Sequence, residues 1–448
     1  MTDHRVAPIL DIIDRYLAQQ PTAFYFPGHR GRVSDLWGEE LWRSDLPELP
    51  GIEEAIEQAE GLAADLVGAE RTWFLTNGAT MGIHAMLLAF PGAKVLVGRN
   101  CHRATIGGMV LAGTVPVYVA TELDPTTGVD LGVSAGALAM ALLEHPDAEA
   151  VFLVSPNYYG VAGAVQEWVA LCHDRGIPLL IDSAHGAHWG FHPDFPPSPL
   201  ALGADVVVQS SHKTAASLTQ TAILHLKSDL VKAQTIEGVL SLLRSTSPSL
   251  PLLASLDYSR RLLATEGKQR LAQIVSWSEK LRARLPWLVS FDDPSRLTAI
   301  PPGGTGFQLD QWLCQQSPPL IAELPTLEHL VFALGLGTVE EDSDRLLQLL
   351  QEYPCPAKKV RVAPFNFATV EQPTLTPRQA YFSAAEIVSA KEAIGRISRT
   401  VICPYPPGIP VILPGEVIKQ ETIEYLAQVI AAGGIVQGWQ GGIAVLAE

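Results

Sequence analysis

The chain has 448 residues, 47% of them hydrophobic and 17% charged, with a formal net charge of −16. That length is more than one compact core usually holds and predicts two or three domains, while the acidity argues against nucleic acid or an anionic membrane surface as a partner. No uninterrupted apolar run is long enough to span a bilayer, since even "AVFLV" soon meets Ser155 and Pro156.

In chain order, "MTDHRVAPILDIIDRYLAQQ" predicts an amphipathic helix with acids inside it and without the apolar segment of a signal peptide. From about residue 50 to about residue 245, short apolar runs alternate with helical patterns. "TWFLT" precedes "GATMGIHAMLLAF", "AKVLVG" precedes "HRATIGGMVLA", and "VPVYVA", "AEAVFLVSP", "VQEWVALCHDRG", "IPLLIDSAHG", "ADVVVQSSHK" and "TAILHL" follow. Continuous Val/Leu/Ile runs separated by helices predict a mainly parallel sheet covered on both faces, with sites at the carboxyl ends of its strands. Next comes a long helix, "YSRRLLATEGKQRLAQIVSWSEKLRARL", and a Pro/Gly-interrupted stretch. The strand "HLVFALGLG", the helix "DSDRLLQLLQEY" and a turn-rich strand region closed by a last helix complete the pattern. The division expected is an N-terminal arm over 1–50, a large domain over 51–285 ending in the connecting helix, and a small α+β domain over 286–448. Five scattered cysteines (Cys101, Cys172, Cys314, Cys355, Cys403), never spaced CxxC, predict free thiols in a reducing cytoplasm.

Each chemical signal in the central region falls just after a predicted strand. "TNGAT", Thr76 to Thr80, opens a helix with glycine and small hydroxyls, as an anion site does. The plainer alternative is an ordinary N-cap by Asn77 or Thr80. Asp182 ends an apolar strand, where a carboxylate is costly without a partner. One reading joins Asp182 to His185, His188 and His192 as metal ligands, but the spacing does not match a helical ligand pair, so no metal is expected. Others make Asp182 the partner of a cationic ring nitrogen, or the cap of the next helix. Lys213, in "QSSHKTA", follows Asp182 by 31 residues, about one helix plus one strand, which puts both on one edge of the same sheet. It is either a surface lysine or a desolvated amine poised to form a Schiff base. Anion cradle, carboxylate and lysine together match the three anchors that pyridoxal phosphate needs. His102, after "KVLVG", is placed to lie flat on a planar cofactor, and Asn157 or Tyr158 in "SPNYYG" to reach its phenolic oxygen.

The motifs "FPGHRG", "FLTNGAT", "RNCHRAT", "SPNYYG", "IDSAHGAH", "SSHKT" and "YPPGIPVILPGE" occur in the order seen in the bacterial-type ornithine/lysine/arginine decarboxylases, and the chain resembles the short form of that family. The resemblance implies the pyridoxal-phosphate fold of the aspartate aminotransferases (fold type I) and decarboxylation of arginine, lysine or ornithine to agmatine, cadaverine or putrescine, amines of the polyamine pathway. It also implies at least a homodimer. By motif, Lys213 resembles the Schiff-base lysine, Asp182 the partner of the ring nitrogen and His102 the ring-stacking histidine. Ala79 and Thr80 occupy the phosphate turn, Ser210 and His212 the polar pair before the lysine, and His185 joins the cofactor-binding set. Thr246 and Ser247 resemble the contacts that reach the phosphate from the neighbouring subunit. The proton returning to the substrate carbon is expected from Lys213 or His212. Two positions depart from the pattern: Ser183 stands where many members have an acid, and Ala79 where a hydroxyl is common. Asp45, Glu48 and Glu416 are the acids considered for the distal cation of a basic substrate. The alternatives are an aminotransferase, with Arg361 or Arg378 drafted to hold a carboxylate, an aldolase, or a cofactor-binding regulator without activity.

Overall fold

The computed structural model describes residues 22–24, 52–357, 372–405, 408–439 and 441–447. The predicted N-terminal helix, "FPGHRG", Asp45, Glu48 and Arg361 lie outside the described residues.

The apolar runs form a seven-stranded sheet. Its strands are β1 (Arg71–Leu75), β2 (Lys94–Gly98), β3 (Val115–Val119), β4 (Ala150–Val154), β5 (Leu179–Asp182), β6 (Val206–Gln209) and β7 (Ala222–Leu226), in the spatial order β1-β7-β6-β5-β4-β2-β3. All run parallel except β7, which is antiparallel to both neighbours. Every residue of β5, β6 and β7 is buried, as expected of strands covered on both faces. The helices covering the sheet include α1 (Ile52–Val67), α2 (Gly78–Leu88), α3 (Arg103–Ala112), α4 (Ala135–Glu144) and α5 (Val165–His173). Of these, α1 and α4 were not among the expected elements. A Cβ on Gly82 of α2 would stand 2.5 Å from Val208 Cγ2 of β6, so only glycine lets this helix lie so close to the sheet.

Two features of this topology position a site. Parallel pairing of β5 with β6 sets Asp182 opposite Val208, so Asp182 and the residues after Gln209 emerge at one edge. The chain also leaves β2 outward to β3 and returns to β4 on the other side of β2. Loops after β2 and β4 therefore diverge, leaving a crevice of the kind where ligands bind in open α/β sheets.

A four-residue helix, α6 (Ser211–Thr214), interrupts the passage from β6 to β7, and α7 (Ala233–Leu243) and the 35-residue α8 (Leu250–Arg284) follow. The long helix joins two cores. Leu253 and Leu256 pack with Phe74 and Ile223 of the large sheet, whereas Leu271 and Ile274 pack with Leu297, Leu309 and Leu346 beyond it. That second core carries an antiparallel sheet of β8 (Leu288–Val289), β9 (Arg296–Ala299), β10 (Leu324–Pro325) and β11 (Leu330–Ala333). Its helices are α9 (Gly306–Cys314) and α10 (Glu340–Glu352). The chain does not end on a helix: α11 (Gln420–Ala431) stops before Gly433 and Gly434, and two short strands, Ile435–Gln437 and Ile443–Leu446, come after it. Consecutive glycines break the helical pattern there, and the alternating burial of Ile443–Leu446 is that of a strand.

Asp310, in α9, is pushed up to about 6 by burial. An acid whose folded value lies above its unfolded one adds stability that is fully present below about pH 4 and lost as pH rises through 6. Asp310→Asn is therefore expected to raise stability at neutral pH by about 1–3 kcal/mol and to flatten the slope between about pH 4 and 6, read by denaturant melts across that range.

Candidate active site

At the carboxyl ends of β2, β4, β5 and β6, facing the small domain, a cavity of about 500 Å³ opens. Ala79, Thr80, His102 and Asp182 line it, as do His185, Ser210, His212 and Lys213. Eight positions from four separate stretches of sequence thus share one space. Thr246 and Ser247 do not: both are exposed on the segment between α7 and α8.

Lys213 lies in α6, two residues before Ala215, whose amide donates to Ser211 O at 2.8 Å and closes the short helix. Its Nζ is 3.1 Å from His185 Nε2 and 5.5 Å from the centre of the Tyr158 ring. Burial pushes the Lys213 ammonium below the ordinary lysine range; Asp182 and Glu323 work against this, and Arg296 works with it. Asp182 is buried at the tip of β5, and its Oδ1 accepts a hydrogen bond from the Ala184 amide at 3.0 Å. Burial raises its carboxyl and the nearby Lys213 lowers it. The two groups are electrostatically matched, with Asp182 buried and Lys213 half-buried.

His102 is the N-cap of α3, its Nδ1 accepting from the Ala104 amide at 3.1 Å. That fixes Nε2 as the protonated nitrogen of the neutral ring. Burial, then Lys213 and Arg103, hold it down to about 3, so the ring stays neutral at physiological pH. His185 is likewise held well below its ordinary value by burial and Lys213, and its ring packs 4.3 Å from that of Tyr158. His212 Nδ1 lies 2.8 Å from the Thr221 carbonyl oxygen, which can only accept, so Nδ1 carries the proton of the neutral ring.

At the start of α2, Asn77 makes no side-chain capping bond, and no acid stands in the first turn. The first-turn N–H groups of Ala79 and Thr80, both at the cavity, thus present a positive helix end without a carboxylate to neutralise it. Gly78 holds φ +72° and donates to Gln220 O at 2.7 Å, turning the chain from β1 into the helix. Gly408 closes the other side. It has φ +84°, and a Cβ there would sit 3.1 Å from His102 Nε2. Gly408→Ala is expected to cost about 1–2 kcal/mol of stability from the left-handed backbone alone and to shift the His102 ring, seen as a lower melting temperature with a changed His102 NMR signal.

The sequence reading missed three groups here. Glu323 and Tyr405 line the cavity, and Arg296, almost wholly buried, stands close enough to bear on Lys213, His185 and Tyr158. None follows a strand of the large sheet, so no strand-tip signal marked them. Glu416, considered for a substrate cation, instead pairs with Arg99 at 3.3 Å and accepts from the Leu413 amide, outside the cavity lining. Arg378 donates to the carbonyl oxygens of Val110 and Leu111, also away from the cavity. Ser183 is fully buried beneath Gly186 and does not line the cavity. Asn157 lines it but is committed to its turn, accepting from the amides of Tyr159 and Val161 and donating to Asp130 O. His188 pairs with Asp293 at 3.2 Å and His192 faces Asp194, so the histidines of "IDSAHGAHWGFH" diverge. Among the described residues, no group of three or more His, Cys, Asp or Glu side chains is placed to hold a metal ion.

Residues 7–297 match the model of the Orn/Lys/Arg decarboxylase major domain, and residues 361–441 that of its C-terminal domain. The chain belongs to this family. It is accordingly an amino-acid decarboxylase, a carbon–carbon lyase, rather than an aminotransferase or aldolase. It is similar to an arginine decarboxylase of Bacillus subtilis, 33% identical over 98% of this chain and 96% of that protein. An arginine decarboxylase of Halalkalibacterium halodurans is 31% identical, again over 98% and 96%. Among solved structures, lysine decarboxylase A from Pseudomonas aeruginosa superposes with a TM-score of 0.76 at 18% identity, over 99% of this chain and 80% of that one. The shared fold is that of the fold type I pyridoxal-phosphate enzymes, with a mainly parallel central sheet and a smaller C-terminal domain.

The cavity residues fit pyridoxal phosphate. A half-buried amine, a buried carboxylate at a strand tip, a neutral ring with a fixed tautomer and a helix end without side-chain cap or acid offer partners for the aldehyde, the ring nitrogen, the ring face and the phosphate of that cofactor.

Proposed function

We propose that the protein decarboxylates arginine at its α-carbon, releasing CO2 and agmatine, with pyridoxal phosphate held in the cavity between the large and small domains. The observation that carries this reading is the convergence of Lys213, Asp182, His102 and the start of α2 on one cavity. The relatives named arginine decarboxylase favour arginine over lysine and ornithine.

Lys213 holds the cofactor's aldehyde, Asp182 its ring nitrogen, the first turn of α2 its phosphate, and His102 covers the ring. When bound, the cofactor supplies the electron sink for the pair left behind by the departing carboxylate. Asp182 keeps a proton on the ring nitrogen, because a buried carboxylate gains most from a cation beside it. Burial disfavours the charged form of Lys213, which favours the neutral amine that bonding to an aldehyde requires. After CO2 leaves, the proton returns to the substrate carbon from Lys213 Nζ. His212 is less suited, since its Nδ1 proton is engaged by the Thr221 carbonyl. Its place is to brace α6 against the Thr221 turn. Exposed Thr246 and Ser247 reach the phosphate of a partner subunit in a homodimer, as the family motif implies. The free thiols and acidic surface suit a cytoplasmic enzyme.

Supplying purified, cofactor-loaded protein with arginine, lysine and ornithine in competition tests the substrate. The expected result is CO2 release with agmatine as the main amine; putrescine or cadaverine as the main product would overturn the choice of arginine.

A further inference from the structure

We propose that Glu323 is the residue that receives the distal cation of the substrate, so that the small domain, not the large one, reads the side chain. The inference rests on the reading of the protein as a decarboxylase of a basic amino acid. Among the described residues, two carboxylates line the cavity, Asp182 and Glu323. Asp182 stands at the tip of β5 among the groups assigned to the cofactor. Glu323 enters from the opposite wall, on the turn leading into β10. Its backbone amide donates to Val331 O of β11 at 2.9 Å, and the preceding Ala322 also faces the cavity. A backbone pinned to the sheet leaves the carboxylate a narrow range of positions, as a specificity contact requires.

The cavity lining also suits a cation. Tyr405 of the small domain and Tyr158, on the loop after β4 of the large sheet, also line the cavity, and aromatic faces near a carboxylate favour a planar guanidinium or an ammonium over a neutral group. The negative charge of Glu323 is felt at Tyr158, at Lys213 and at Arg296. The rival role is purely structural, a partner for the buried Arg296 that ties β9 to the turn before β10. The two roles separate on ligand charge.

The test is calorimetric binding of n-butylguanidinium, n-butylammonium and neutral n-butylurea to the full chain, cofactor-free and cofactor-loaded, in wild type, Glu323→Gln and Glu323→Asp. Wild type is expected to prefer the cations. Glu323→Gln should weaken them about tenfold or more without changing butylurea, and Glu323→Asp should recover part of the loss. Thermal melts of each variant accompany the titrations. Cation binding that is unchanged in a folded Glu323→Gln variant, or wild type that binds butylurea as well as butylguanidinium, overturns the proposal. So does a Glu323→Gln chain that fails to fold while a folded Glu323→Asp binds all three ligands equally. These readouts need no turnover. If wild type releases no CO2 from any basic amino acid yet binds the cations through Glu323, the reaction is misassigned and the cation site stands.

Discussion

Replacing Lys213 with alanine is expected to lower kcat for CO2 release about 10⁴-fold or more, the largest effect of any single change in the cavity. Two functions disappear together: the amine that holds the cofactor's aldehyde and the proton donor on the substrate carbon. Borohydride reduction separates this from simple misfolding. Reduced and denatured wild type should carry the cofactor on the peptide containing Lys213, and the alanine variant should carry none while keeping its melting temperature. The melting temperature is expected to hold because Lys213 is a half-buried cation whose charged form the fold penalises; losing it relieves a cost rather than removing a support. Lys227→Ala, at the exposed position directly after β7, serves as the control and should behave as wild type.

Asp182→Asn is expected to lower kcat by about 10²–10³-fold, the range seen when one preorganised electrostatic contact to developing charge is lost. The substitution keeps the shape and the hydrogen bond from Ala184, so the loss reports charge rather than packing. Stability should move the other way. Burial raises the Asp182 carboxyl, so the ionised form costs the cofactor-free protein stability at neutral pH, and the amide removes that cost. A cofactor-free Asp182→Asn protein that melts no lower than wild type, yet turns over far more slowly when loaded, is the predicted pair of results. This opposition of stability and activity is what a charge retained for function produces.

Much of this site was legible in the sequence because of where parallel sheets place their loops. Asp182 and Lys213 end or follow runs of consecutive apolar residues, and one helix plus one strand between them implies neighbouring strands; β5 and β6 do pair. "TNGAT" was legible for the same reason, as a strand-to-helix junction with glycine at the turn. Tyr158 and Asn157 were both named, but only the fold shows that Asn157 is engaged in its own turn. Glu323 and Arg296 were not legible. They reach the cavity through pairing in the small sheet, β9 with β11 and β10 with β11, between residues far from any motif. Glu416 illustrates the converse: its place in a motif drew attention, but Arg99 had already claimed its charge. An acid near a motif is a poor guide to a cation site, because the partner that neutralises it can come from hundreds of residues away.

The reaction itself is tested most directly by turnover of arginine in deuterium oxide, with mass spectrometry of the products. Loss of CO2 followed by a single proton return to the same carbon predicts agmatine carrying one non-exchangeable deuterium, at the carbon that bore the carboxylate. Agmatine without deuterium at that carbon, or the keto acid of arginine in place of agmatine, would contradict the account.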